Sequence, residues 1–125
     1  MVGRKKIALL LAGLITATSL IGCQNNKETA NEEEKIEIGI TQLVQHPALD
    51  SAREGFVEGL KEKGYEEGKN IDIDYQNAQG DAATSQTIAQ KFVSEDKDLI
   101  LAIATPAAQA VYNATKEIPT VFTAV

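Results

Sequence analysis

A thiolate is the strongest nucleophile a chain can carry, and this sequence has one cysteine, Cys23, and one histidine, His46. Nucleophilic catalysis needs a base beside the nucleophile and a third group to orient that base. Nothing in the spacing supplies such a set. A single Cys excludes an internal disulfide framework, and one Cys with one His excludes a Cys/His zinc site. No G-x-S-x-G elbow, Gly-rich phosphate loop or dinucleotide glycine fingerprint occurs. His46 therefore reads as a loop or ligand-stacking residue and not as a catalytic base. Asp72 and Asp74 share one strand face and read as a solvated surface. Glu32-Glu33-Glu34 is a charge run, and Asn113-Ala114-Thr115 is a chance sequon. These residue types point to no enzyme, no metal and no cofactor. Two X-Pro pairs, His46-Pro47 and Thr105-Pro106, each sit at the start of an apolar-periodic stretch. A helix start offers free backbone N–H groups and roughly half a positive charge, a seat for a carboxylate.

The charge distribution narrows the partners. Among the 125 residues, 18 are acidic and 12 basic, and 43% are apolar. Arg4, Lys5 and Lys6 lie in the first 22 residues and leave 9 basic against 18 acidic groups in the remainder. That balance disfavours nucleic acid, where phosphate contacts need clustered Lys and Arg. Residues 1–22 have a basic start and an apolar run from Ile7, which closes on Leu20-Ile21-Gly22-Cys23. A helix from Ile7 to Gly22 would cover about 24 Å at ~1.5 Å per residue, short of the ~30 Å hydrocarbon core. It reads as a signal peptide. Residues 23–35 contain one apolar side chain past the cysteine, Ala30. Such a segment buries too little to offset its ordering entropy and reads as a disordered acidic tether. It would reach ~20 Å as a flexible coil and ~40 Å at full stretch.

Leu20-Ile21-Gly22-Cys23 resembles the lipobox of bacterial lipoproteins. The resemblance implies that Cys23 takes a diacylglyceryl group on sulfur and becomes the new N-terminus after cleavage. Two or more chains, each contributing roughly 0.8 kcal/mol per buried CH₂, give a stable anchor. The implied location is extracytoplasmic, on the bacterial cell membrane.

From residue 36 onward strands and helices alternate. Ile36, Ile38 and Ile40 recur at period two, a strand ending near Gln42. Pro47 suits a first helical position, and Leu49, Ala52, Phe56, Val57 and Leu60 form a helical stripe that Gly64 stops in a left-handed cap. Asn70–Gln76 alternates again, with Ile71, Ile73 and Tyr75 on one face. Asp81 is the expected N-cap for a helix carrying Ile88, Ala89, Phe92 and Val93. The apolar run Asp98–Ala104 marks a central parallel strand covered on both faces. Thr105 is then expected to cap a third helix with Pro106 at its first position, and Ile118–Val125 reads as a fourth strand. Right-handed crossovers make βαβαβαβ an open parallel α/β sheet with helices on both faces, in the flavodoxin-like order 2-1-3-4. Doubly wound lobes generally run to five or more strands, so residues 36–125 are expected to be an incomplete lobe. Ligands of such sheets bind beyond the carboxyl ends of the strands, where Gln42–Asp50, Asn77–Asp81 and Ala104–Gln109 arrive.

Those segments also carry a resemblance. Ile38-Gly39-Ile40-Thr41-Gln42-Leu43-Val44-Gln45-His46-Pro47-Ala48-Leu49-Asp50, followed by Ala52-Arg53-Glu54-Gly55-Phe56, closely resembles substrate-binding proteins of ABC transporters of the tryptophan/tyrosine-uptake type. Asn77-Ala78-Gln79-Gly80-Asp81, Ala104-Thr105-Pro106-Ala107-Ala108-Gln109-Ala110 and the closing Ile118–Val125 fit the same family. The resemblance implies a two-lobed protein that closes on one small molecule and docks on a membrane permease, with this chain holding most of the first lobe. It implies ligand contacts from Gln42 and His46, from Gln79, and from Thr105 with Ala107: N–H groups for a carboxylate, an amide oxygen for an ammonium. Two other readings stay open from the residues alone. One is a lipid-tethered sensor module on the same fold. The other is an enzyme on a flavodoxin-like sheet, which a phosphate loop or nucleophile elbow would have supported.

Overall fold

The computed structural model describes residues 34–125. The signal peptide, Cys23 and all but the end of the expected tether lie outside these residues. Seven elements follow one another: β1 (Ile36–Gln42), α1 (Pro47–Glu62), β2 (Ile71–Asn77), α2 (Ala82–Ser94), β3 (Leu99–Ile103), α3 (Thr105–Ala114) and β4 (Thr120–Thr123). All pairings are parallel, and the strands lie in the order β2-β1-β3-β4. The expected element order, strand order and parallel pairing are all present.

The period-two pattern of the strands sorts the core into two layers. Ile38 and Ile40 of β1, Ile71 of β2, and Leu101 and Ile103 of β3 form one buried face, on which Leu49, Phe56, Val57 and Leu60 of α1 pack. Ile100 and Ala102 point the other way, into a cluster with Ile88, Ala89 and Phe92 of α2 and Ala107, Ala110 and Val111 of α3. The continuous apolar run in β3 thus has its reason, since both faces of a central strand need cover. The two layers differ in tightness. Helices α2 and α3 bury several residues fully, whereas α1 buries none.

Gly39 sets how closely α2 approaches. A Cβ there would lie 2.7 Å from Phe92 Cδ2, and Phe92 is fully buried. The missing side chain lets the ring sit directly on the β1 backbone, a close approach only glycine allows.

Caps end the helices mostly where the sequence places them. His46 Nδ1 accepts from the Ala48 N–H at 3.2 Å, with Pro47 in the first turn. Asp81 Oδ1 accepts from the Thr84 N–H at 2.7 Å, and that backbone hydrogen bond holds the Asp81 carboxyl below the usual carboxylate range. Gly64 follows α1 at φ +89°, the left-handed conformation glycine tolerates. Helix α3 departs from expectation. Its N-cap is Ala104 and not Thr105, which is already helical, and no side chain caps it. Ala104 has φ 80° and ψ 153°, so the turn is made by the backbone of β3's exit and Thr105 has no capping role to fill.

Asp74 departs too. It faces Lys91 of α2, which hydrogen-bonds it together with Gln76, so it is a paired carboxylate and not a solvated one. Burial pushes its pKa up, but the bonds from Lys91 and Gln76 outweigh that and hold it below the ordinary value. At the other end of the sheet Lys97 is buried against Glu37, at 2.9 Å.

A polar hollow at the strand tips

The loops that leave the carboxyl ends of the strands are tied to one another. Leu43 N–H donates to the Ile103 carbonyl at 3.3 Å, which holds the β1 exit against the end of β3. Gly80 N–H donates to the Leu43 carbonyl at 2.7 Å, and Ala78 N–H to the Gln42 carbonyl at 2.9 Å, which holds the β2 exit against the same loop. Ala104 N–H donates to the Thr123 carbonyl at 3.0 Å, which adds the β4 exit. Gln42, Gln79 and Thr105 therefore stand at one pole of the sheet.

Their individual settings differ. Gln42 is fully buried. Its Nε2 donates to the Val44 carbonyl and to Asp50 Oδ1, both at 2.8 Å, while its Oε1 has no partner among the described residues. Gln42 thus pins the β1–α1 loop to the first turn of α1. His46 is exposed and spends Nδ1 on the helix cap. Gln79 is exposed at φ 54°, with its N–H donating to Asn77 Oδ1 at 2.7 Å. Thr105 is exposed, and Ala107 is buried. Because α3 has no side-chain cap and Ala108 N–H is bonded to the Ala104 carbonyl, the Thr105 and Ala107 N–H groups are left without helical partners. The Ala108 N–H is not free, since helix closure uses it.

Beside these tips, on the β2 side, lies a hollow of about 490 Å³. Val44, Gln45, Asp50 and Arg53 line it from β1's exit and α1, and Tyr75, Asn77 and Gln79 from β2's exit. Of the residues singled out from the sequence, Gln79 lines it directly; Gln42 reaches it through Asp50. The Arg53 guanidinium lies 4.5 Å from the centroid of the Tyr75 ring, a cation–π contact, and its buried Nε is unpartnered among the described residues. Asn77 Nδ2 donates to the Tyr75 hydroxyl at 3.3 Å. A cation, a carboxylate, an aromatic ring and three amides thus converge on one concavity, which suits a small zwitterion better than an apolar guest. Arg53 stands in the resembling run and Tyr75 on the face of Ile71 and Ile73, but neither stands out in the sequence as a ligand contact, because a cation–π pair between two elements leaves no local pattern. Among the described residues no group of acidic, His and Cys side chains could hold a metal.

A parallel α/β lobe whose loops gather at the carboxyl ends of its strands, around polar groups and a free helix N-terminus, is the architecture of a small-molecule binding lobe. Comparison with known proteins gives the family: residues 37–125 match the ABC transporter substrate binding protein family, and the chain belongs to it. It is 52% identical over 130 residues to a tyrosine-binding protein of Clostridioides difficile (strain R20291), a match that takes in 98% of this chain and 38% of that protein. It is 63% identical, with a TM-score of 0.70, to the ligand-free, open form of a substrate-binding protein with adhesive properties from Clostridium difficile, over 71% of this chain and 30% of that one. A Streptococcus pneumonia ABC domain in complex with L-Trp is 38% identical, with a TM-score of 0.68, over 71% of this chain and 30% of that one. The chain thus spans well under half the length of the relatives it matches.

Proposed function

We propose that this chain forms part of the first lobe of an extracytoplasmic substrate-binding protein that captures an aromatic amino acid, tyrosine or tryptophan, for an ABC importer. One observation carries the reading: the exits of β1, β2 and β3 are hydrogen-bonded together at one pole, where α3 presents uncapped N–H groups. The relative named for tyrosine and the neighbour holding L-Trp support the ligand class. In this reading the Thr105 and Ala107 N–H groups receive the ligand carboxylate, favoured by the α3 dipole. The Gln42 amide oxygen accepts from the ammonium. Gln79 offers an amide at the rim, and His46 stacks on the ligand ring. A second lobe closes over the tips, excludes water and strengthens each polar contact, and the closed form docks on the permease. Cys23, with a lipid on sulfur, tethers the protein outside the membrane through residues 24–35.

The test is calorimetry with L-tyrosine and L-tryptophan on the protein carrying both lobes. Micromolar binding, weakened by Gln79→Ala and Thr105→Pro, is the expected result. Absence of heat and of any melting shift with both amino acids overturns the ligand assignment. For the anchor, incorporation of labelled fatty acid should vanish in Cys23→Ala; persistence of label would refute lipidation at that sulfur.

A further inference from the structure

Helix α1 packs on the sheet less tightly than α2 and α3: Leu49, Phe56, Val57 and Leu60 touch it but none is fully buried, and β2, the strand at its side, is an edge strand. Between them runs a groove of about 350 Å³ whose floor includes Ile40, Val57 and Ile73. Its rim carries Glu54, Glu58 and Glu67. Arg53, held over Tyr75, bounds the groove and pairs with Glu54 at 3.8 Å, while Glu58 and Glu67 have no cationic partner among the described residues and leave the rim acidic. The mid-strand and mid-helix positions of these residues put the groove on the flank of the lobe, separate from the α3 N-terminus.

We propose that this flank is a docking site for a cationic amphipathic helix of a protein partner. An apolar stripe would cover the part-exposed Val57 and Ile73, and Lys or Arg residues beside the stripe would meet Glu54, Glu58 and Glu67. Charge complementarity selects this occupant. An acidic rim repels anionic lipid headgroups, and a chain of net charge −6 makes a poor self-partner at an acidic groove. The groove adjoins the hollow at the strand tips through Arg53 and Tyr75, but the proposal uses only its glutamates and apolar floor and rests on no part of the amino-acid reading.

The experiment uses the isotope-labelled full chain and an amidated Lys/Leu amphipathic helical peptide as probe, with the same peptide carrying Glu for Lys as control. Amide shifts should be confined to α1 and β2, and should fade as salt rises. The triple variant E54Q/E58Q/E67Q should bind about tenfold more weakly, because each exposed pair contributes modestly. These glutamates are solvent-exposed, so the near-isosteric amides leave the fold intact; E58K alone should weaken binding in the same direction. Unchanged affinity in both variants, shifts centred on the strand tips, or equal binding of the acidic control peptide each overturns the proposal.

Discussion

Gly39→Ala tests whether the backbone of β1 and the ring of Phe92 are as close as the fold requires. The added methyl would meet three ring atoms of Phe92, at 2.7, 2.8 and 2.9 Å, all inside normal van der Waals separation. The ring has nowhere to retreat, because Phe92 is fully buried among Ile88, Ala89, Ile100 and Ala102. Overpacking of this kind costs about 1–3 kcal/mol. Alanine also stiffens the unfolded chain, which offsets roughly 0.4–1 kcal/mol. The net expectation is a loss of about 1–2 kcal/mol, read as a lower urea midpoint by far-ultraviolet circular dichroism with the slope unchanged. The strain has a named partner, so it should be relieved there: in Gly39→Ala/Phe92→Leu the two penalties should fall short of additive. A neutral or stabilising Gly39→Ala, or strict additivity with Phe92→Leu, would mean that the ring does not sit on the strand and that the α2 layer is placed wrongly.

Three further outcomes follow from the same structure. Gln42→Ala strips the Val44 carbonyl and Asp50 of a shared donor and should cost about 1–3 kcal/mol; hydrogen exchange of residues 43–46 should quicken, and an unchanged rate would deny Gln42 its role in holding the loop. Ala104→Gly removes a Cβ from a backbone at φ 80° and should raise thermal stability by up to about 1 kcal/mol, whereas a lower melting point would show that the turn is not strained. The Asp74–Lys91 pair gives a pH signature. Asp74 titrates below its ordinary value of 3.8 in the folded chain, so its contribution is present above the unfolded carboxylate pKa and is lost as pH falls through the lower folded value. The stability gap between the wild type and Asp74→Asn, under about 1 kcal/mol for so shallow a pair, should therefore shrink on acidification in urea titrations at successive pH values, and a gap that widened would reverse the assignment.

How much of this was legible beforehand divides along a physical line. Element order and strand order follow from patterns that repeat: the period-two isoleucines of β1, the unbroken apolar run of β3, Asp81 and Gly64 at helix ends. Each is a local rule satisfied by local residues. The common pole of the tips follows in turn from parallel crossovers, so the placement of Gln42, Gln79 and Thr105 together was inherited from topology. What those side chains do there was not, because it depends on contacts between elements. Gln42 has the composition of a cleft residue, yet two hydrogen bonds hold its amide nitrogen inward. Thr105-Pro106 has the composition of a capped start, yet Ala104 makes the turn with a positive φ and leaves the helix uncapped.

That last difference bears on function more than a capping threonine would. A side-chain cap satisfies the N–H groups of the first turn and blunts a helix terminus as an anion seat. At α1 and α2 such caps are present, from His46 and Asp81. At α3 the cap is missing, and a non-glycine residue sits in a backbone region that costs about 1–3 kcal/mol to occupy. The same terminus lies beside the exits of β1 and β4, which are bonded to the two ends of Ile103-Ala104. A fold that caps two helices and leaves the third open at the convergence of its strands fits the proposal that those N–H groups receive a ligand carboxylate. Ala104→Gly then separates two roles that a binding assay alone would merge: it should raise stability while leaving the Thr105 and Ala107 donors in place, so tyrosine or tryptophan affinity in the two-lobed protein should change only through added freedom of the turn. Affinity lost in step with stability gained would mark the strain itself as what aims those donors.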